Sequence, residues 1–99
     1  MQIKLDNGLT VDINPDTEFY CEHHLWKEAG IKSMLRLANL YGDRKFDTSL
    51  VHALIFKKYY ALIIDNGNGI IREFHSTREE RQKRIRHLRY LRMKSKKEL

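Results

Sequence analysis

The chain has a single cysteine, Cys21, so no intramolecular disulfide can form, and a reducing compartment fits. No apolar run approaches the roughly 18 to 20 residues that a membrane-spanning helix needs. The opening stretch, MQIKLDNGLTVDI, lacks the apolar core of a signal peptide. These absences lead us to expect a cytoplasmic protein with no membrane partner. A further shortage is local. RQKRIRHLRYLRMKSKK, from Arg81 to Lys97, holds nine Lys and Arg and no Asp or Glu.

What is present is enough for one compact domain. The 99 residues are 41% hydrophobic, which allows a modest core. The formal charge of +6 is unevenly spread. From Ser76 onward there are ten Lys/Arg against three Asp/Glu, whereas the first 75 residues carry nine against ten. The chain therefore reads as a near-neutral body over residues 1–76 followed by a basic helix over 77–99. That helix is expected to dock in its first half and to fray from Lys94 onward.

Local signals set an expected order of elements. QIKLD and LTVDI alternate apolar and polar residues around Asn7-Gly8, which predicts a hairpin with a type I′ turn. Ile3, Leu5, Leu9, Val11 and Ile13 would share one face. Asn14-Pro15 predicts a helix start, with Phe19, Leu25, Trp26 and Ala29 at helical spacing and Gly30 as the stop. A second helix is expected over Ile31 to Tyr41, burying Ile31, Met34, Leu35, Ala38 and Tyr41, with Gly42 ending it. LVHALIFKKYYALIID is ambiguous: Asp47, Thr48 or Ser49 can cap a helix to about Lys57, and the β-branched and aromatic residues beyond Lys58 suit a strand. DNGNG then makes a loop and IIREFH a returning strand. Ser76-Thr77-Arg78-Glu79 fits a capping box for the terminal helix. The expected fold class is α+β: a small antiparallel sheet from two hairpins, two to three packed helices and the basic C-terminal helix.

On that helix, Ile85, Leu88 and Leu91 form a narrow apolar seam, and Arg81, Arg84 and Arg92 fall in the same sector. Their stems can cover apolar surface while their heads reach water, so loose docking is expected. The opposite face carries Lys83, Arg86, Tyr90, Lys94 and Lys97, a spacing that suits a phosphate track, with the Tyr90 ring available for stacking. Arg78 and Arg89 complete the predicted nucleic-acid-binding set. Unrelieved like charges at i,i+4 cost stability, which argues for an external anion, either DNA, RNA or an acidic protein surface. A helix-turn-helix around Ala29-Gly30 has a compatible spacing, but its second helix offers only Lys32 and Arg36 as readers.

Catalytic and metal chemistry is less clearly written. Cys21, His23 and His24 lie close in sequence, but a closed zinc site needs four convergent ligands, and His52, His75 and His87 are scattered. No metal or other cofactor is expected. Asp65 with Glu73-Phe74-His75 has the spacing of a metal-dependent nuclease, with His75 where such sites place Lys. The stretch KKYYALIIDNGNGIIREFHS, after a helical hairpin and before a basic C-terminal segment, resembles the layout of RelE-type toxins, small proteins that cleave mRNA on the ribosome. The resemblance implies a metal-independent ribonuclease with Arg72 as charge stabiliser, His75 as acid or base and Tyr90 as stacking group. The residues themselves favour a non-catalytic nucleic-acid-binding protein that contacts phosphates through its terminal helix. A third reading is an adaptor or inhibitor docking on an acidic surface of a larger protein, a role that suits small phage or mobile-element proteins.

Overall fold

The computed structural model describes residues 1–97. It contains β1 (Gln2–Lys4), β2 (Thr10–Asp12), β3 (Glu18–Cys21), α1 (Glu28–Tyr41), α2 (Arg44–Phe56), β4 (Tyr60–Asp65), β5 (Ile70–His75) and α3 (Arg78–Lys97). β1 and β2 make a two-stranded antiparallel sheet, and a second antiparallel sheet has the order β3-β4-β5. The fold is α+β.

The central strand explains the layering. YALIID is buried along its middle four positions, the continuous apolar pattern of a strand covered on both faces. Alternate residues therefore serve two cores. Leu62 and Ile64 join Phe19, Ile85, Leu88 and the hairpin residues Leu5, Val11 and Ile13. Ala61 joins Phe74, Trp26 and the helical residues Ile31, Ala38, Leu50 and Ala53. The sheet thus separates the α1–α2 hairpin on one face from α3 and the β1–β2 hairpin on the other. The expected apolar face of the first hairpin, Ile3, Leu5, Leu9, Val11 and Ile13, packs together as predicted.

The helix expected from Asn14 to Ala29 does not form. Asn14 instead makes an Asx turn, its Oδ1 accepting from the Asp16 backbone N–H at 2.8 Å, and the Thr17 hydroxyl accepts from Asn14 N–H at 3.0 Å. The chain then becomes β3, because β4 needs a partner on each side for its backbone groups. Phe19 and Cys21 pair with Ile64 and Leu62. EFYC already carries the two-residue alternation of a strand, and the looser helical spacing of Phe19, Leu25, Trp26 and Ala29 obscures it. Gly30 consequently stops nothing. It lies inside α1, and no helix-turn-helix exists there.

Helix ends follow capping chemistry, with small shifts from expectation. Gly42 adopts φ 71° and ends α1. Asp43 N–H reaches Ala38 O at 2.9 Å while Gly42 N–H reaches Asn39 O at 3.3 Å, a Schellman-type ending. Asp43 at once caps α2, its Oδ1 accepting from Phe46 N–H at 3.0 Å, so α2 starts before the predicted Asp47–Ser49. Thr77, not Ser76, caps α3, accepting from Glu80 N–H at 3.1 Å. Tyr41, expected inside, is 79% exposed, because α1 meets α2 through Met34, Leu35 and Ala38.

The first hairpin also turns differently. Gly8 N–H donates to Leu5 O at 3.0 Å and Leu5 N–H to Leu9 O at 2.7 Å. Gly8 has φ 90°, while Asn7 is not in the left-handed region. A type I′ turn needs positive φ at both central residues, so this is a longer loop with a glycine bulge. Asn7 gains a tertiary role instead: its Nδ2 donates to Ser49 Oγ at 3.0 Å, tying the hairpin to α2.

Lys57 ends α2 in the left-handed region, φ 52° and ψ 50°, a conformation that costs a non-glycine residue about 1 kcal/mol. Lys57→Gly is therefore expected to stabilise the protein by about 0.5–1 kcal/mol. Urea unfolding checks this, and an unchanged or lower midpoint contradicts it.

Candidate nucleic-acid interface

α3 runs antiparallel to β3, and its arginines set the register. Arg81 Nη1 donates to Glu22 O at 3.2 Å and Ala61 O at 3.4 Å. Arg89 Nη2 donates to Phe19 O at 3.0 Å, and Arg92 Nη1 to Thr17 O at 2.8 Å. The match is geometric. From Arg81 to Arg92 a helix rises about 16.5 Å, and from Glu22 back to Thr17 a strand covers about the same. Arg81 lies over the Tyr60 ring and Arg92 over Phe19, at 5.6 and 5.5 Å. The heads predicted to reach water are therefore turned inward. Arg81 is only 8% exposed. The docking also extends past the first half: Ser95 is buried, with its hydroxyl 3.5 Å from Ile13 O. α3 is helical through Lys97, and Glu98 and Leu99, part of the segment expected to fray, lie outside the described residues.

Arg84 has a different partner. Its Nε and Nη2 donate to the two oxygens of Glu73 at 2.9 and 3.2 Å. Glu73 is 2% exposed, and His75, with its proton on Nε2, donates to Glu73 Oε1 at 2.7 Å. Burial pushes the Glu73 carboxyl up, but hydrogen bonds from His75 and Arg84, together with the Arg84 charge, hold it below the ordinary value. This pair fastens the middle of α3 to β5.

The outer face is left with its charge. Lys83, Arg86, Arg89, Lys94, Lys96 and Lys97 are exposed, and among the described residues none of them meets a carboxylate. A backbone carbonyl positions Arg89 but does not neutralise it. Lys83, Arg86, Tyr90, Lys94 and Lys97 follow one another at i+3 or i+4, a stripe about 21 Å long. Lys94, Lys96 and Lys97 also suit the negative end of the helix dipole, which offsets part of their mutual repulsion. Arg78 is separate. It lies in the first turn beside Glu79 and Glu80, about 12 Å along the axis from Arg86.

Between α3 and the β2–β3 turn lies a cleft of about 530 Å³, lined by Pro15, Arg86, Arg89, Tyr90, Arg92, Met93 and Lys96. Sequence reasoning found Arg86, Arg89 and Tyr90 but not the others. Lys96 was findable, because it follows Arg89 by seven residues and so shares its face. Pro15 was not, since only the folded chain brings it to α3.

The residues of the ribonuclease layout are not brought together. Arg72 lies on the α1–α2 side, paired with Glu22 at 2.6 Å and stacked between Trp26 and Phe46 at 5.4 and 5.3 Å. His75 is buried on the α3 side against Glu73. Tyr90 stands on the outer face of α3. Asp65 caps its own turn, accepting from Gly67 N–H at 2.9 Å, and takes no part with Glu73. Cys21 faces Gln82, and His24 pairs with Glu22. Among the described residues no three His, Cys, Asp or Glu groups converge as a metal site, and no helix is long and apolar enough to cross a membrane. Comparison of the chain with protein families, curated proteins and solved structures gives no match.

Glu73 and His52 make stability acid-sensitive in the same direction. Burial, then the Lys58 charge, hold the His52 pKa below its ordinary 6.5. The unfolded chain therefore takes up a proton at His52 before the folded one does, and stability declines as the pH drops below about 6.5. The Glu73 contribution is complete above about 4.5 and is lost as the pH falls through its lower folded value. Unfolding followed against pH is expected to show both stages. His52→Asn should flatten the upper stage and Glu73→Gln the lower. Arg84→Met, which leaves Glu73 buried with one partner fewer, should cost about 3–5 kcal/mol.

Proposed function

We propose that this is a small non-catalytic nucleic-acid-binding protein that engages phosphates through the outer face of α3. One observation carries the reading: on the inner face Arg84 is paired with Glu73 and Arg81 is buried against backbone carbonyls, while the outer cations have no carboxylate partner among the described residues. Had the body supplied acids to the outer face of α3 as well, the basic segment would be a structural device and nothing more. Instead the net positive charge stays on an exposed helical surface, where it raises the local concentration of a polyanion and releases the counterions that the polyanion carries. The stripe from Lys83 to Lys97 spans about six steps of a B-form strand at roughly 3.4 Å each. His75, the acid or base of the ribonuclease layout, is held against Glu73 in the interior and away from that stripe, which supports binding rather than cleavage.

A different surface suits a protein partner, though an apolar one rather than the acidic surface of the adaptor reading. Leu37, Leu40, Tyr41, Val51, Ile55 and Phe56 are all exposed on α1 and α2, more large apolar side chains than a helical hairpin needs for its own packing. A protein partner on that face is compatible with a nucleic acid on α3, because the sheet separates the two.

Binding to a short DNA duplex is expected to weaken steeply as salt rises. Replacing Lys83, Arg86, Lys94 and Lys97 together by Ala should flatten the log–log slope by about 0.9 for each B-DNA phosphate that is no longer neutralised. The fold should survive, since none of the four is buried. Affinity indifferent to salt, or a slope unchanged in the fourfold variant, removes the reading.

A further inference from the structure

The cleft beside Tyr90 says more than the charge stripe does. We infer that it is a nucleotide subsite, in which a base stacks on Tyr90 against Pro15 and Met93 while its phosphate meets Arg86, Arg89 and Lys96; the form bound most tightly is thus a single strand with an accessible base. This rests on the nucleic-acid reading above and names the substrate class of the same surface.

Three features of the cleft carry the inference. The first is its mixed lining. A surface that only tracked phosphates would present cations alone, yet this one interleaves Pro15, Tyr90 and Met93 with Arg86, Arg89, Arg92 and Lys96. Tyr90 is 57% exposed and Met93 56%, so both are available to a ligand rather than committed to a core. The second is preorganisation. Arg89 and Arg92 are each held by a backbone carbonyl, Phe19 O at 3.0 Å and Thr17 O at 2.8 Å. A guanidinium has five N–H donors and a carbonyl removes none of its charge. Both arginines therefore stay cationic in fixed positions with donors to spare, so little side-chain entropy is lost when an anion arrives. The third is size. About 530 Å³ of open space admits a base with its sugar and is far too small for a duplex. In a duplex the bases are stacked and paired, so only a single strand can present one to Tyr90.

The test compares four labelled probes by fluorescence anisotropy: a short deoxyribo strand, its ribo counterpart, the same sequence as a duplex, and an abasic strand with the same number of phosphates. The wild type is expected to bind the base-bearing strands about 5- to 150-fold more tightly than the abasic one, the range of a single stacked base. Tyr90→Ala should erase that difference, and Tyr90→Phe, which keeps the ring, should preserve it. The salt slope on the abasic strand should not change in either variant. Equal wild-type affinity for base-bearing and abasic strands overturns the subsite but leaves phosphate binding standing. Preference for the duplex, or a Tyr90→Ala loss of equal size on the abasic strand, also overturns it. Absence of binding to every probe removes both the subsite and the reading beneath it. The wild-type comparison decides even if a variant fails to fold.

Discussion

The attachment of α3 by arginine is the constraint on which the rest of the molecule depends. Ile85, Leu88 and Leu91 alone make a seam too narrow to hold a 20-residue helix. The arginines flanking that seam supply the remainder. Hydrogen bonds from a charged donor contribute about 1.5–3 kcal/mol each, and those of Arg81, Arg89 and Arg92 fall on carbonyls of Ala61 and of the Thr17–Glu22 segment. That segment contains the outer strand of the sheet. The same contacts therefore close an edge that would otherwise offer unpaired carbonyls to another chain.

The partner type decides what the surface can do. Where α3 meets a carboxylate, Glu73 is buried and Arg84 partly so, and the pair fixes orientation rather than presenting charge. Where α3 meets carbonyls, charge is positioned but kept. This division lets one helix serve as a structural element on its inner side and as an electrostatic surface on its outer side. The cleft lies at the boundary, with Arg89 and Arg92 belonging to both.

Much of the layout was legible along the chain. β5, the DNGNG loop, the body of α1 with its Gly42 ending, and the onset of α3 within one residue all follow from signals a few positions apart. The β3 segment was not, because its strand character comes from the vacancy beside β4, far away in sequence. The outward stripe on α3 was also legible, since helical periodicity alone separates Lys83, Arg86, Tyr90, Lys94 and Lys97 from the seam. The fate of Arg81, Arg84 and Arg92 was not: periodicity places them inward but does not say what they find there.

The amino-acid order by itself determined the charge asymmetry, the α+β class and the two faces of the terminal helix, because each depends on composition or on spacings within one or two turns. Tertiary structure decided which cations are held in place and by what. The carbonyls that receive Arg81, Arg89 and Arg92 lie as far as 59, 70 and 75 residues back along the chain. A local pattern carries no information about an acceptor at that distance; only the packing of α3 along β3 creates it.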